Sequence, residues 1–322
     1  MSIPRRLGTL ALALALAACP APDSGENTVS AGTPSTPDAA RPDIQALNAF
    51  YYYEDVEAAW DFYTSVLGFE TVVDYGFAKI LQVAPASYLT LVDAARGMHS
   101  ASEPKSVTLA IVTRQVQGWY DYLVDQGVDM RSDLNMREGS AHDGFVAIDP
   151  EGYLLEFEWF NDHEENERLS PRLDRIEPIP GGRGSRPSEL GVHATVLWLY
   201  YDDLGPIQEF YEALLAVDLL VDQGWAKVYS ASPTGFIGLV DASRGLHQAT
   251  SDKAVTISFF TEDVDGWLDR VQTLGVELRT GEIGMESDRV RTLVGYDPDG
   301  YFLEWDTFLE RDGNERLLAL MR

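Results

Sequence analysis

What the chain has little of narrows its chemistry first. A single cysteine, Cys19, in 322 residues excludes an intrachain disulfide and a zinc site built of thiolates. Basic residues are scarce, with 24 Lys and Arg against 52 Asp and Glu and a formal charge of -28. Such an excess repels nucleic acid and anionic lipid head groups, so neither is an expected partner. Most of these carboxylates read as a solvated acidic surface. Long apolar runs are also lacking at the start of the chain: Leu7 to Ala18 is too short to cross a bilayer comfortably.

That run follows Arg5 and Arg6 and ends Leu16-Ala17-Ala18-Cys19, which reads as an export signal. Small residues before a cysteine resemble the bacterial lipoprotein cleavage signal. The resemblance implies a signal peptide over 1–18, with Cys19 as the first mature residue and the site of lipidation. The alternative is an unmodified cysteine in the apolar run. Residues 20–42 are rich in Pro, Ala, Ser, Thr and Asp without hydrophobic periodicity, the composition of a disordered tether. Pro20 stands where an Asp would favour inner-membrane retention in such lipoproteins. The expected location is therefore the bacterial cell envelope, on the outer membrane facing the periplasm, with membrane contact through the lipid alone.

Beyond the tether the chain is written twice. Adding 148 to a residue number between about 45 and 169 reaches its counterpart without a gap. Phe62-Tyr63 returns as Phe210-Tyr211, Ala78-Lys79 as Ala226-Lys227, and Leu91-Val92-Asp93-Ala94 as Leu239-Val240-Asp241-Ala242. Arg96-Gly97 and His99 return as Arg244-Gly245 and His247, and Asp149-Pro-Glu-Gly-Tyr-Leu-Leu-Glu156 as Asp297-Pro-Asp-Gly-Tyr-Phe-Leu-Glu304. Chance does not hold a register over that length, so the chain is a duplicated domain. The expected bounds are 43–169 and 190–322, joined by a linker over 170–189 that contains Pro-Gly-Gly-Arg-Gly.

Each copy reads as two βαβββ units, an α+β pattern. Leu47 to Tyr53 is rich in β-formers, and Asp55 is placed to cap a helix from Val56 to about Leu67, with Ala59, Phe62, Tyr63 and Val66 on one face. Gly68 is the expected stop. Strands follow near 69–75, 77–83 and 87–93. The pattern recurs with a strand at 107–112, a helix at 116–125, a looser stretch, and strands near 143–149 and 153–160, and the second copy is expected to repeat it.

This order, with Phe-Tyr in the first helix, Leu67-Gly68-Phe69 after it and the closing Asp-Pro-x-Gly-Tyr-x-Leu-Glu, resembles the vicinal oxygen chelate superfamily. That superfamily includes glyoxalase I, extradiol dioxygenases and bleomycin and fosfomycin resistance proteins. The resemblance implies two tandem domains, each a curled open sheet with helices on the convex side. It also implies a concave face on which relatives hold a divalent metal. Whether the copies pair with each other, as separate chains do in dimeric relatives, is left open by the sequence.

Aligned to that pattern, the metal-ligand positions are Asn48, Leu91, Thr108 and Glu156 in the first copy. In the second they are Val196, Leu239, Thr256 and Glu304. Only the glutamates are strong ligands, and one carboxylate with water holds a divalent ion weakly. No metal or other cofactor is therefore expected. His193 lies three residues before Val196, on the wrong strand parity, and reads as a strand-entry residue. His99 and His247 sit in Arg-Gly-Met/Leu-His without neighbouring His or Cys and read as loop hydrogen-bonding residues. Lys79 and Lys227 read as partners of nearby acids.

Period-two alternation sets out the side chains beside the glutamates. In the first copy these are Asn48, Phe50, Tyr52, Thr108, Ala110, Leu154, Glu156 and Glu158. In the second they are Val196, Trp198, Tyr200, Thr256, Ser258, Phe260, Phe302, Glu304 and Asp306. Aromatic faces beside a desolvated carboxylate suit a planar or cationic organic ligand. The candidate ligand-binding set is Asn48, Phe50, Tyr52, Thr108, Glu156, Trp198, Tyr200, Thr256 and Glu304. Glu156 and Glu304 are also the candidate general bases should catalysis occur. The sequence thus supports a lipid-anchored small-molecule binder without metal, and beside it a metal-dependent lyase or dioxygenase. A third option is a scaffold whose aromatics only fill the cups.

Overall fold

The two units of each sequence copy enter different sheets of this chain. The computed structural model describes residues 41–322; the export signal, Cys19 and nearly all of the tether lie outside the described residues. The first unit runs β1 (Ala46–Tyr53), α1 (Val56–Asp61, continued as a π-helical turn Phe62–Val66), β2 (Glu70–Asp74), β3 (Ala78–Ala84) and β4 (Ser87–Asp93). The second runs β5 (Val107–Val112), α2 (Val116–Asp125), β6 (Met130–Asn135), β7 (His142–Ile148) and β8 (Leu154–Phe160), followed by a short α3 (Ser170–Leu173). The third has β9 (Ala194–Tyr201), α4 (Leu204–Leu215), β10 (Leu219–Asp222), β11 (Ala226–Ser230) and β12 (Gly235–Asp241). The fourth has β13 (Val255–Phe260), α5 (Val264–Leu274), β14 (Glu277–Leu278), β15 (Gly284–Glu286), β16 (Val290–Tyr296) and β17 (Phe302–Phe308), and α6 (Glu315–Met321) ends the chain.

These elements form two curled mixed sheets. The nine-stranded sheet has the order β14-β16-β17-β13-β1-β4-β3-β2, with β15 paired to β16, and so joins the first unit to the fourth. The eight-stranded sheet, β10-β11-β12-β9-β5-β8-β7-β6, joins the third unit to the second. Each sheet therefore draws strands from both copies, and the seams are antiparallel: β1 with β13 and β5 with β9. The duplication supplies both halves of each cup, and neither copy closes a cup alone.

The repeated Asp-Pro-x-Gly-Tyr motif explains how the copies stay in register. Asp149 accepts from the backbone N–H groups of Glu151 (3.0 Å) and Tyr153 (2.8 Å), which fixes the turn, and its other oxygen accepts from Tyr53 (2.7 Å) and Tyr63 (3.0 Å). The Tyr153 hydroxyl then donates to Ala254 O (2.6 Å) of the other copy while accepting from Tyr52 N (2.8 Å). Tyr301 repeats this, donating to Ser106 O (2.6 Å) and accepting from Tyr200 N (3.0 Å). Both hydroxyls are buried, so losing either would leave two buried backbone groups short of a partner.

Helix entries follow the capping rule: the side chains of Asp55, Asp203 and Asp263 accept from Ala58, Gly205 and Gly266 N–H respectively. The inward faces of these helices and of α2, which Gln115 precedes without a side-chain cap, bury Tyr63, Trp119, Tyr211 and Trp267 fully over one common core. The Asn-Glu-Arg-Leu segment that follows each copy's last strand docks back, with Asn166 donating to Ala141 O and Asn161 O, and Asn314 to Arg289 O and Leu309 O.

Three local expectations change. The looser stretch forms β6, whose polar, mostly exposed residues hide a strand from hydrophobic periodicity. The second copy does not repeat it whole, carrying two short pieces, β14 and β15, in its place. The segment 170–189 is ordered against the body of the protein. Arg186 is 3% exposed and donates to the carbonyls of Leu67, Ile179 and Pro180, while Ser185 N–H donates to Ser65 O (2.7 Å). At Gly184 (φ +56°) a Cβ would lie 2.3 Å from Ser65 O, so only glycine lets the segment approach so closely.

Candidate functional site

Strand pairing across the copies regroups the predicted residues. On the nine-stranded sheet Asn48 faces Ser258 and Phe50 faces Thr256 across the seam, and Ser258 is level with Glu304. On the eight-stranded sheet Ala110 pairs with Val196 on one side and Glu156 on the other, and Thr108 pairs with Trp198. The grouping by copy is thus corrected: Asn48, Phe50 and Tyr52 share a cup with Thr256 and Glu304, while Trp198 and Tyr200 share one with Thr108 and Glu156. Leu91 and Leu239 stand in the common core rather than in either cup. The parallel register of β1 with β4 puts Thr90 level with Phe50, so Thr90 and its counterpart Gly238 hold the face positions.

In the nine-stranded cup the polar groups are largely engaged with one another. Thr90 Oγ1 donates to Asn48 Oδ1 (2.9 Å), Tyr52 and Thr256 share a hydrogen bond of 2.8 Å, and Ser258 Oγ donates to Asp306 Oδ2 (2.6 Å). Asn48 Nδ2 and Asp306 Oδ1 are left without partners. Burial, and then the nearby Asp306 carboxylate, push the Glu304 carboxyl well above its ordinary range; burial also raises Asp306. The His99 ring lies between Tyr52 (4.9 Å) and Phe302 (4.4 Å), and its Nδ1 is held by Glu103 at 2.7 Å. His247 has no such carboxylate, since Ser251 replaces Glu103, and its ring rests on Tyr200 at 4.9 Å.

The eight-stranded cup opens into a cavity of about 310 Å³. Glu156, Glu158, Trp198, Tyr200, Trp225 and Phe160 are among the residues that line it. Tyr200 is tied to Thr108 by a 2.8 Å hydrogen bond. The Trp198 indole fits only because residue 238 is glycine: a Cβ there would sit 2.0 Å from its Cε3. Glu158, 2% exposed, has no counterpart of the Ser258 hydroxyl, because Ala110 stands in that place, and its Oε1 is unpartnered. Burial raises the Glu158 carboxyl well above its ordinary range, the Glu156 charge adds to this, and the Trp198 indole opposes it. Burial pushes Glu156 up to about 7.

The other sequence candidates take structural places. His193 precedes β9 and packs on Trp159 beside Arg114; burial, then that cation, lower it to about 4. Lys79 pairs with Glu57 and Asp74, and Lys227 with Asp222. Trp225 was the site residue least visible in advance, since it lies just before β11 in a loop; alternation places Glu158 on the concave face, outside the candidate ligand-binding set.

The donor sets do not fit the metal of the resembled superfamily. Asn48 and Thr256 spend their oxygens on neighbours, and Val196 replaces Asn48 in the second cup, which leaves only a carboxylate pair in each. Among the described residues no group of three or more His, Cys, Asp or Glu side chains converges to hold an ion.

A tandem pair of curled βαβββ sheets with an acidic, aromatic cup defines a class of protein. Residues 45–157 match the family model described as Glyoxalase/Bleomycin resistance protein/Dioxygenase superfamily. That segment carries the superfamily's pattern, and the second copy repeats its sequence register and element order. Glyoxalase I from Zea mays is similar in structure, with 15% identity over 85% of this chain and 94% of that one and a TM-score of 0.55. A point mutant of the same enzyme gives 16% identity over 85% and 94% and a TM-score of 0.54. At such identity the likeness speaks for the fold alone. No curated protein matches the chain.

Proposed function

We propose that this chain is a metal-independent binding protein of the superfamily, and that its eight-stranded cup captures a small aromatic or cationic compound. The observation that carries the reading is the cavity of about 310 Å³ whose walls combine Trp198, Tyr200 and Trp225 with Glu156 and Glu158. Aromatic walls stack a planar group, and a buried carboxylate gains most from a ligand that brings the opposite charge. The volume suits a compound of one or two rings. A thermal-shift screen of aromatic amines and phenols on the full chain is expected to raise the melting temperature for amines. Loss of that response in Trp198→Ala would fix the site, and a screen without any hit would remove the reading.

The same proposal places the protein at the bacterial envelope, held by lipid on Cys19. It rests on Leu7 to Cys19, and membrane fractionation of Cys19→Ala tests it: retention at the membrane after export would contradict lipid anchoring.

A second reading is a lyase or dioxygenase, favoured by one feature, a Glu156 carboxyl held near 7 where a general base works best. A stoichiometric divalent ion in protein purified without chelator, lost on Glu156→Ala, would support it over the first.

A further inference from the structure

The loop that follows β12 carries a cation to the mouth of the eight-stranded cup. Asp241 O accepts from the N–H groups of Arg244 (3.0 Å) and Gly245 (3.1 Å), and Asp241 Oδ1 accepts from Ser243 N–H (2.9 Å), which closes a tight turn. The turn lies against Tyr200: a Cβ at Gly245 would stand 2.6 Å from Tyr200 Cε1, and the His247 ring packs on the same side chain at 4.9 Å. Arg244 is thereby placed at the rim, with its guanidinium over Trp225 at 4.9 Å. It is exposed, it is the one Lys or Arg that lines the cavity, and it forms no ion pair among the described residues. Asp133, also on the lining, accepts from the Tyr120 hydroxyl (3.1 Å).

The sheet at the base of the cavity carries the opposite sign. Glu156 stands on β8 between Ala110 and Val146 of the neighbouring strands and is half-buried. The Glu158 carboxyl turns to the Trp198 indole, so Glu156 is the carboxyl left to meet an entering cation. A ligand that is only a cation gains at Glu156 and loses at Arg244, because both charges act on it within one cavity of about 310 Å³. A ligand with an anionic group at its far end gains at both.

We infer that the cup selects a dipolar aromatic compound, with an ammonium group directed to Glu156 and a carboxylate at the opposite end of the ring held by Arg244. The inference rests on the binding reading above and deepens it. The ring between the two groups stacks on the indole walls, and the guanidinium presents a planar fork of donors that matches a carboxylate. The repeated loop sets Arg96 over Phe77 in the same way, at 4.1 Å, so the position is built into the loop and does not depend on a chance rotamer.

Isothermal titration of the full chain at low salt with 4-(aminomethyl)benzoate, 4-(aminomethyl)benzamide and benzylamine tests this. The benzamide keeps the shape and the cation of the benzoate without its negative charge. The benzoate is expected to bind about three- to fivefold tighter than the benzamide, the size of an ion pair at an exposed rim. Arg244→Gln should abolish that margin and tighten benzylamine by about two- to threefold, so one exposed substitution moves the two ligands in opposite directions. A benzoate no tighter than the benzamide, or a margin that survives in Arg244→Gln, overturns the inference, while binding of benzylamine keeps the cup a binding site. Binding of none of the three overturns the binding reading itself, and the inference with it.

Discussion

The two cups are built from equivalent strands, yet hydroxyl groups bond the polar side chains of one while indole rings stand beside the carboxyls of the other. In the nine-stranded cup, Thr90 answers Asn48, and Ser258 answers Asp306. In the eight-stranded cup the corresponding residues are Gly238, Val196, Ala110 and Glu158, so the hydroxyls are gone and the longer carboxyl meets the Trp198 indole instead. The glycine makes room for Trp198 where the other cup has Thr90 beside the smaller Phe50. Four differences between the copies thus replace a cluster of hydroxyl-bonded polar groups by a cavity walled with indole and carboxyl groups. Duplication lets one fold do this, because each cup draws on both copies and can diverge while the shared core is held constant.

Exchanging residues between the cups breaks the comparison most severely at position 238. Gly238→Thr would drive a methyl-bearing Cβ into an indole now 2.0 Å away from that point. It should cost about 1–3 kcal/mol of stability in urea denaturation and expel Trp198 from its place. The affinity for aromatic amines should fall by about tenfold or more in the same protein. Unchanged binding would mean that Trp198 is no part of the site.

Solution pH gives an effect of intermediate size, with opposite signs for binding and stability. Burial raises Glu156 from 4.5 to about 7, so it ionises through neutrality, and affinity for a monocation should rise several-fold between about pH 6 and 8. The folded state holds that proton to higher pH than the unfolded chain. This contribution to stability is therefore full below 4.5 and is lost as pH rises through about 7. Glu158, Tyr200, His142, Asp133 and Arg244 also line the cavity, so Glu156→Gln is the control, and it should flatten both dependences. A pH profile unchanged in Glu156→Gln would assign the titration to another of these groups.

Ala110→Ser sharpens the contrast with the mildest change. A hydroxyl there should bond Glu158 as Ser258 bonds Asp306, adding about 1 kcal/mol of stability while weakening ligand binding a few-fold. A gain in both would show that Glu158 does not serve the ligand.

The repeat, the capped helices and the glutamates at 156 and 304 were legible in the sequence because they rest on local patterns: register identity, an Asp before an amphipathic run, period-two alternation. The pairing of halves was not, since hydrophobic patterning says which face of a strand is buried and nothing about which of four similar units lies beside it. That gap misassigned Tyr52 and Tyr200 to the wrong carboxylates. Leu91 and Leu239 fell one residue out of register for a related reason: an almost fully buried strand such as β4 shows no alternation to fix its parity. Signals for the open cup were present in the differences between the copies, at 110 against 258 and at 238 against 90, rather than in what they share.

Metal-independent binding is tested most directly by calorimetric titration of the full chain, stripped of metal with EDTA, with an aromatic amine such as phenethylamine. It predicts binding of one molecule per chain, unchanged when a divalent ion is restored. Binding that appears only after the ion is added would contradict it.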